Sequence, residues 1–67
     1  MPIVTIQVTG KPVTRKQKQA LIEESTRMLD DVLGKEPEKT WVLIVEVPAE
    51  NWGVAGRSAD AVLGRTG

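Results

Sequence analysis

Residues 41–47 read Trp-Val-Leu-Ile-Val-Glu-Val, a nearly continuous apolar run closed by Pro48. An apolar run of this kind suits a strand of a parallel sheet, where both faces are covered. Pro48 ends it, because proline has no backbone N–H to give to a ladder. Working back along the chain, residues 35–40 form a polar connector containing one proline, Pro37. Before that connector, Leu21, Ile22, Ser25, Met28, Leu29, Val32 and Leu33 recur at three- and four-residue spacing. This spacing predicts one apolar stripe on a helix from Arg15 to Leu33, with Glu23, Glu24, Arg27 and Asp30 toward water. Thr14 suits the N-cap, since its hydroxyl can accept a backbone N–H of the first turn. Gly34 suits the C-terminal stop, since it adopts the left-handed conformation without strain.

Further back, residues 3–8 alternate, with Val4, Ile6 and Val8 on one side and Ile3, Thr5 and Gln7 on the other. Such β-branched alternation predicts a strand, broken by Gly10, Lys11 and Pro12. Two strands flanking a helix of roughly 19 residues make a β-α-β unit with parallel strands and a right-handed crossover. Working forward, residues 50–53 form a loop, and Gly53 and Gly56 permit a short hairpin with Val54 on one arm. Residues 58–67 carry only a sparse apolar set, Ala59, Ala61, Val62 and Leu63. The expected fold class is α+β, one β-α-β unit with a short C-terminal hairpin, forming a single domain over residues 1–67. One helix covers one face of a two-stranded sheet. The other face, carrying some of Ile3, Thr5, Trp41, Leu43 and Val45, is then expected at an interface.

Composition points the same way. A chain of 67 residues buries only about 60% of its unfolded surface and is marginal alone. Small domains usually add disulfides, a metal or a partner chain. The sequence has no cysteine and no histidine, so disulfides are excluded and a zinc site is not expected. Self-association is the remaining route. Nine basic and nine acidic residues balance to zero net charge, which argues against nucleic-acid and membrane-surface partners. No apolar run approaches the ~20 residues of a membrane span. The first basic residue is Lys11 and no long apolar stretch follows it, so no signal peptide is expected and a cytoplasmic location is.

One residue stands apart chemically. Pro2 follows Met1, and aminopeptidases usually trim methionine before a residue as small as proline. The exposed prolyl nitrogen is then a secondary amine with a pKa near that of an α-amino group, roughly 8. Apolar burial or nearby cations lower it further, toward what proton abstraction from carbon requires. With Met1 attached, the same nitrogen is a tertiary amide without basicity.

Met1-Pro-Ile-Val-Thr-Ile6, Gln17-Lys-Gln-Ala-Leu-Ile22 and Glu50-Asn-Trp-Gly-Val-Ala-Gly56 together resemble the 4-oxalocrotonate tautomerase family over about residues 2–58. The resemblance implies a β-α-β protomer assembling as a dimer, commonly into hexamers. It also implies an amino-terminal proline that moves protons between carbons of unsaturated keto acids without a cofactor. Pro2 corresponds to that proline. Lys11 lies in the loop where the family has a basic residue for a substrate carboxylate, with Pro12 and Val13 shifting the pattern by one residue; the alternative is a solvated loop charge. Trp52 corresponds to an apolar wall beside the proline, or to an aromatic packed between subunits. Asn51 is a candidate donor to a substrate oxygen. Arg57 stands where relatives often carry glutamate, as a replacement cation or a surface charge. Trp41 occupies the position of a second arginine, which the best-known members contribute from a neighbouring subunit. It reads most simply as a core or interface aromatic, while Lys39 lies two residues earlier.

The resulting expectation is a cofactor-independent tautomerase of unsaturated 2-keto (enol) acids. The alternatives are hydration or dehalogenation of an unsaturated acid, with Glu46 or Glu50 activating water, and a non-catalytic oligomeric homologue that keeps the fold. Asp30 and Asp31 adjoin on the helix and point in different directions, so they form no acid pair. Ser25 and Ser58 have no histidine to activate them. The Gly10-Lys-Pro-Val-Thr14 stretch lacks the glycine spacing of a phosphate-binding loop.

Overall fold

The computed structural model describes residues 1–62; residues 63–67, including Leu63 of the sparse apolar set, lie outside the described residues. Strand β1 (Ile3–Val8) leads into helix α1 (Arg15–Leu33), which returns the chain to strand β2 (Trp41–Glu46). The strands pair in parallel with Ile3 opposite Trp41 and Val8 opposite Glu46. Val47 lies one residue beyond the strand, yet its N–H still donates to the Val8 carbonyl at 2.8 Å. The polar connector contains a single 3-10 turn at Pro37–Lys39.

Helix α1 is capped at both ends by its own sequence. Thr14 Oγ1 accepts the Gln17 N–H at 3.1 Å, and the Thr14 N–H donates to Gln17 Oε1 at 2.9 Å. This reciprocal capping box satisfies donors that the first turn leaves without helical partners. Gly34, at a φ of 68°, closes the other end. Its N–H donates to the Asp30 carbonyl, and the Lys35 N–H donates to the Leu29 carbonyl.

The apolar stripe is narrower than its spacing predicts. Leu21, Ile22 and Leu29 are half-buried around the buried Ser25, but Met28, Val32 and Leu33 are exposed. A 19-residue helix is about 28 Å long, whereas a six-residue strand spans about 20 Å. The last turn, with Val32 and Leu33, therefore overhangs the sheet.

Val4, Ile6, Val8, Val42 and Ile44 are half-buried, while Ile3, Thr5, Gln7, Trp41, Leu43 and Val45 are exposed. The apolar members of this second set remain 40–63% accessible. Complete burial of such side chains stabilises by about 1.5–3 kcal/mol each, so the face favours being covered.

Residues 49–62 form a separate arm. A 3-10 turn (Ala49–Asn51) precedes the antiparallel strands β3 (Gly53–Val54) and β4 (Arg57–Ser58) and a short helix, α2 (Ala59–Val62). The turn residues Ala55 and Gly56 both have positive φ, 52° and 81°, as a two-residue hairpin loop of type I′ requires. The Ala59 N–H donates to the Trp52 carbonyl at 2.7 Å, folding α2 back onto the root of the arm. Ala59 is the one buried apolar residue among those described. The elements of the arm pack chiefly on one another. The radius of gyration is 14.8 Å, against about 11 Å for a compact domain of this length. No large side chain is fully buried among the described residues. The chain is an open slab with an arm, and its core is incomplete.

Candidate active site

Pro2 precedes β1 but belongs to its ladder. Its carbonyl accepts the Trp41 N–H at 3.0 Å, so the residue is held at the corner where both strands begin. It is half-buried, while Met1 beyond it is largely exposed. Trp41 and Ile3 are register partners beside it and present an apolar surface. Lys39, two residues before Trp41, pairs with Glu36 at 3.4 Å, within its own connector.

The other candidates lie at the opposite end of the sheet. Lys11 is in the connector after β1, exposed, following Gly10 at a φ of 103°. Asn51 and Trp52 follow the end of β2, where the Asn51 N–H donates to the Pro48 carbonyl at 2.8 Å and the Trp52 N–H to the Ala49 carbonyl at 3.2 Å. Trp52 is half-buried at the root of the arm and Asn51 is exposed. Arg57 is exposed on β4, opposite Val54. Neither Lys11 nor Arg57 makes an ion pair among the described residues. From Pro2 to the far end of β1 is about 20 Å at the usual rise of a strand. One chain thus brings Lys11, Asn51 and Trp52 to one end of its sheet and leaves Pro2 at the other.

The sequence offers Glu46 only as a water-activating base. Its carboxylate is already engaged on both oxygens. Oε1 lies 2.5 Å from Lys18 Nζ, and Oε2 accepts the Val13 N–H at 3.2 Å. The Lys18 contact, followed by the Val13 hydrogen bond, holds the carboxyl below its ordinary value of 4.5, against a weaker opposing effect of burial. A carboxylate so stabilised is a poor proton acceptor, which weighs against that role. The signal available in the sequence was its position, the one charge within an apolar run.

A hollow of about 430 Å³ lies along the flank of α1, lined by Val13, Gln17, Ala20, Leu21 and Glu24. None of the five candidate residues lines it, so the hollow and the candidate site are distinct. Among the described residues no cluster of acidic side chains could hold a metal. No helix among them is long and apolar enough to cross a membrane.

Comparison with known proteins agrees with this architecture. The family described as "Tautomerase enzyme" matches residues 2–61. A protein of Dickeya dadantii named "Probable tautomerase K2" is 48% identical over 58 residues, covering 87% of each chain. The 2-hydroxymuconate tautomerase of Pseudomonas putida is 46% identical over 60 residues, covering 88% of this chain and 92% of that one. A solved structure of the 4-oxalocrotonate tautomerase isozymes from Methylibium petroleiphilum superposes with a TM-score of 0.80 at 38% identity, covering 91% and 97% of the two chains.

Proposed function

Since the chain belongs to the tautomerase family, in its 4-oxalocrotonate tautomerase branch, we propose that it isomerises unsaturated 2-keto (enol) acids with Pro2, freed of Met1, as the general base. The observation that carries this reading is the anchoring of Pro2. A residue at a chain end ordinarily frays. Here the Trp41 N–H fixes its carbonyl, so an amine on the same residue is held at a defined corner of the sheet.

The site is completed by a second copy. A parallel two-stranded sheet has its beginnings at one end and its finishes at the other. A twofold axis across the sheet reverses a neighbouring copy, so that its finishing end meets the first copy's beginning. The bare face of the sheet and the arm of residues 49–62 supply surfaces for such contacts, which supports a dimer or a hexamer built from dimers. Pro2 of one chain then faces Lys11, Asn51 and Trp52 of another, with Arg57 on the same arm.

In this site the neutral amine of Pro2 takes the 2-hydroxyl proton of an enol, giving the same dienolate that forms when it takes a proton from the carbon beside the carbonyl of a 2-keto acid. In the keto case the C–H electron pair moves into the conjugated system, and negative charge develops on the carbonyl oxygen. Lys11 holds the substrate carboxylate, and donors such as Asn51 meet the developing oxyanion. Stabilising charge as it forms is usually the largest single contribution to such a step. The protonated proline then returns its proton to a different carbon, and the cycle closes with no net redox change and no cofactor. The Trp52 wall and the cations favour the neutral amine at rest, because both oppose its protonation.

Ketonisation of an aryl enolpyruvate, followed by ultraviolet absorbance, tests the reading. Protein processed to Pro2 is expected to be active with a basic limb in its pH profile. Protein that retains Met1 is expected to lose most of that activity, and equal rates from the two forms would remove Pro2 as the base.

A further inference from the structure

Glu46 joins three segments that are far apart in sequence. It ends β2, and its two oxygens reach Lys18, one turn into α1, and Val13, in the connector after β1. Residues 9–13 of that connector have few other anchors. Gly10 adopts positive φ, and Thr9 Oγ1 is buried with no hydrogen-bond partner among the described residues. Downstream, Thr14 is locked by the capping box. Among the described residues, Val13 is therefore the first after the strand that a side chain from another element holds. Lys11 lies two residues upstream of it, separated only by Pro12, whose ring restricts the backbone.

We infer that Glu46 is a positioning residue, which holds residues 9–13 in the geometry that presents Lys11 to a substrate carboxylate and keeps Lys18 out of that role. The inference rests on the proposed role of Lys11. An exposed ion pair adds little to global stability. A positioning contact need not add much, because a small displacement of a binding group is costly to function on its own. A charged acceptor also strengthens the Val13 hydrogen bond, so the anchor is better than a neutral one at the same distance. Glu46 thereby sorts the lysines at this end of the sheet. Lys18 is consumed by the fold, and Lys11 is left outside any described ion pair.

The test compares Glu46→Ala, Glu46→Gln and Lys18→Met in the assembled enzyme. Two readouts are used. One is amide hydrogen exchange at Lys11 and Val13; the other is KM and kcat for an enol acid and for its neutral methyl ester. Glu46→Ala is expected to speed exchange at Val13 and to raise KM for the acid about three- to tenfold, as displacement rather than deletion of a binding group would do. KM for the ester and kcat for either substrate should change less. Glu46→Gln, which keeps an oxygen for the Val13 N–H, should fall between Glu46→Ala and the wild type, as should Lys18→Met. In a Lys11→Ala background, Glu46→Ala should add nothing further to KM for the acid. Equal changes in KM for acid and ester, or unchanged exchange at Val13, would overturn the inference while leaving the role of Lys11 standing. If Lys11→Ala alone leaves the acid's KM unchanged while ketonisation still depends on Pro2, the role of Lys11 falls, and this role of Glu46 falls with it.

Discussion

The two ends of the parallel sheet are chemically opposite. Where the strands begin, Pro2 is fixed beside the exposed apolar side chains of Ile3 and Trp41, and the nearby Lys39 is paired within its own connector. Where the strands finish, the surface is polar and cationic, with Lys11, the Glu46–Lys18 pair, Asn51 and the arm that bears Trp52 and Arg57. An apolar end favours a neutral amine, and a polar end favours an anion's carboxylate. The separation of about 20 Å means that one chain cannot offer both to a small substrate. On the proposed reading each chain carries half of a site, and catalysis depends on how copies meet.

Pro2 is the residue whose loss should cost this division between the two ends the most. Pro2→Ala is expected to lower kcat/KM for ketonisation about 10²- to 10⁴-fold, the usual worth of a positioned base. Mixing this variant with Lys11→Ala under conditions of subunit exchange sharpens the point. Hybrid assemblies should regain turnover for an anionic substrate, because some sites combine an intact Pro2 with an intact Lys11 from the other chain. A mixture no more active than the sum of its parts would mean that both ends serve one site within one chain.

Lys11→Ala tests the opposite end by itself. Losing a charge-assisted hydrogen bond corresponds to about 1.5–3 kcal/mol, so KM for a dianionic keto acid should rise roughly ten- to a hundredfold. A neutral enol should be affected much less, and a uniform loss across both substrates would contradict a carboxylate-binding role.

Trp41→Arg probes the apolar end. If a second copy covers this face, the change buries an unpaired charge and should raise the protein concentration needed for assembly by about tenfold or more, as sedimentation would record. An intact oligomer with higher activity on dicarboxylates would instead identify Trp41 as lining the substrate site.

Acid stability should respond only slightly. The carboxyl of Glu46 is held below its ordinary value of 4.5 in the folded chain. The unfolded chain therefore binds that proton at a higher pH than the folded chain does. The stability it contributes is complete above about pH 4.5 and is lost as the pH falls through the folded value. Urea midpoints measured across this range should decline less steeply for Glu46→Gln than for the wild type. Parallel curves would show that the Glu46 contacts contribute no acid sensitivity.

Much of the fold was legible because local chemistry and periodicity agree. Thr14 and Gly34 bound α1 as their capping chemistry implies, and the alternation of residues 3–8 identifies which side of β1 faces the helix. Val32 and Leu33 depart from the expected stripe because periodicity reports direction around a helix, not whether a sheet extends beneath it; Met28 is exposed at the margin of the stripe, beside the half-buried Leu29. The short helix α2 escapes sequence reading because Ala59 and Ala61 are a weak pattern; the buried Ala59 owes its place to packing within the arm. The Glu46 contacts were hidden for another reason. Val13 and Glu46 are 33 residues apart, and no local rule pairs them.

The β-α-β order, the ends of the helix, the hairpin at Gly53 and Gly56, and Pro2 as the candidate base could all be read from the amino-acid order. These follow from backbone preferences and side-chain chemistry that act over a few residues. The three-dimensional arrangement was needed to set Trp41 beside Pro2, to bring Asn51 and Trp52 to the end of the sheet that carries Lys11, and to commit Glu46 to Lys18 and Val13. Those facts depend on parallel pairing across a 19-residue crossover, which sends both strands the same way and separates what is close in the chain while joining what is distant.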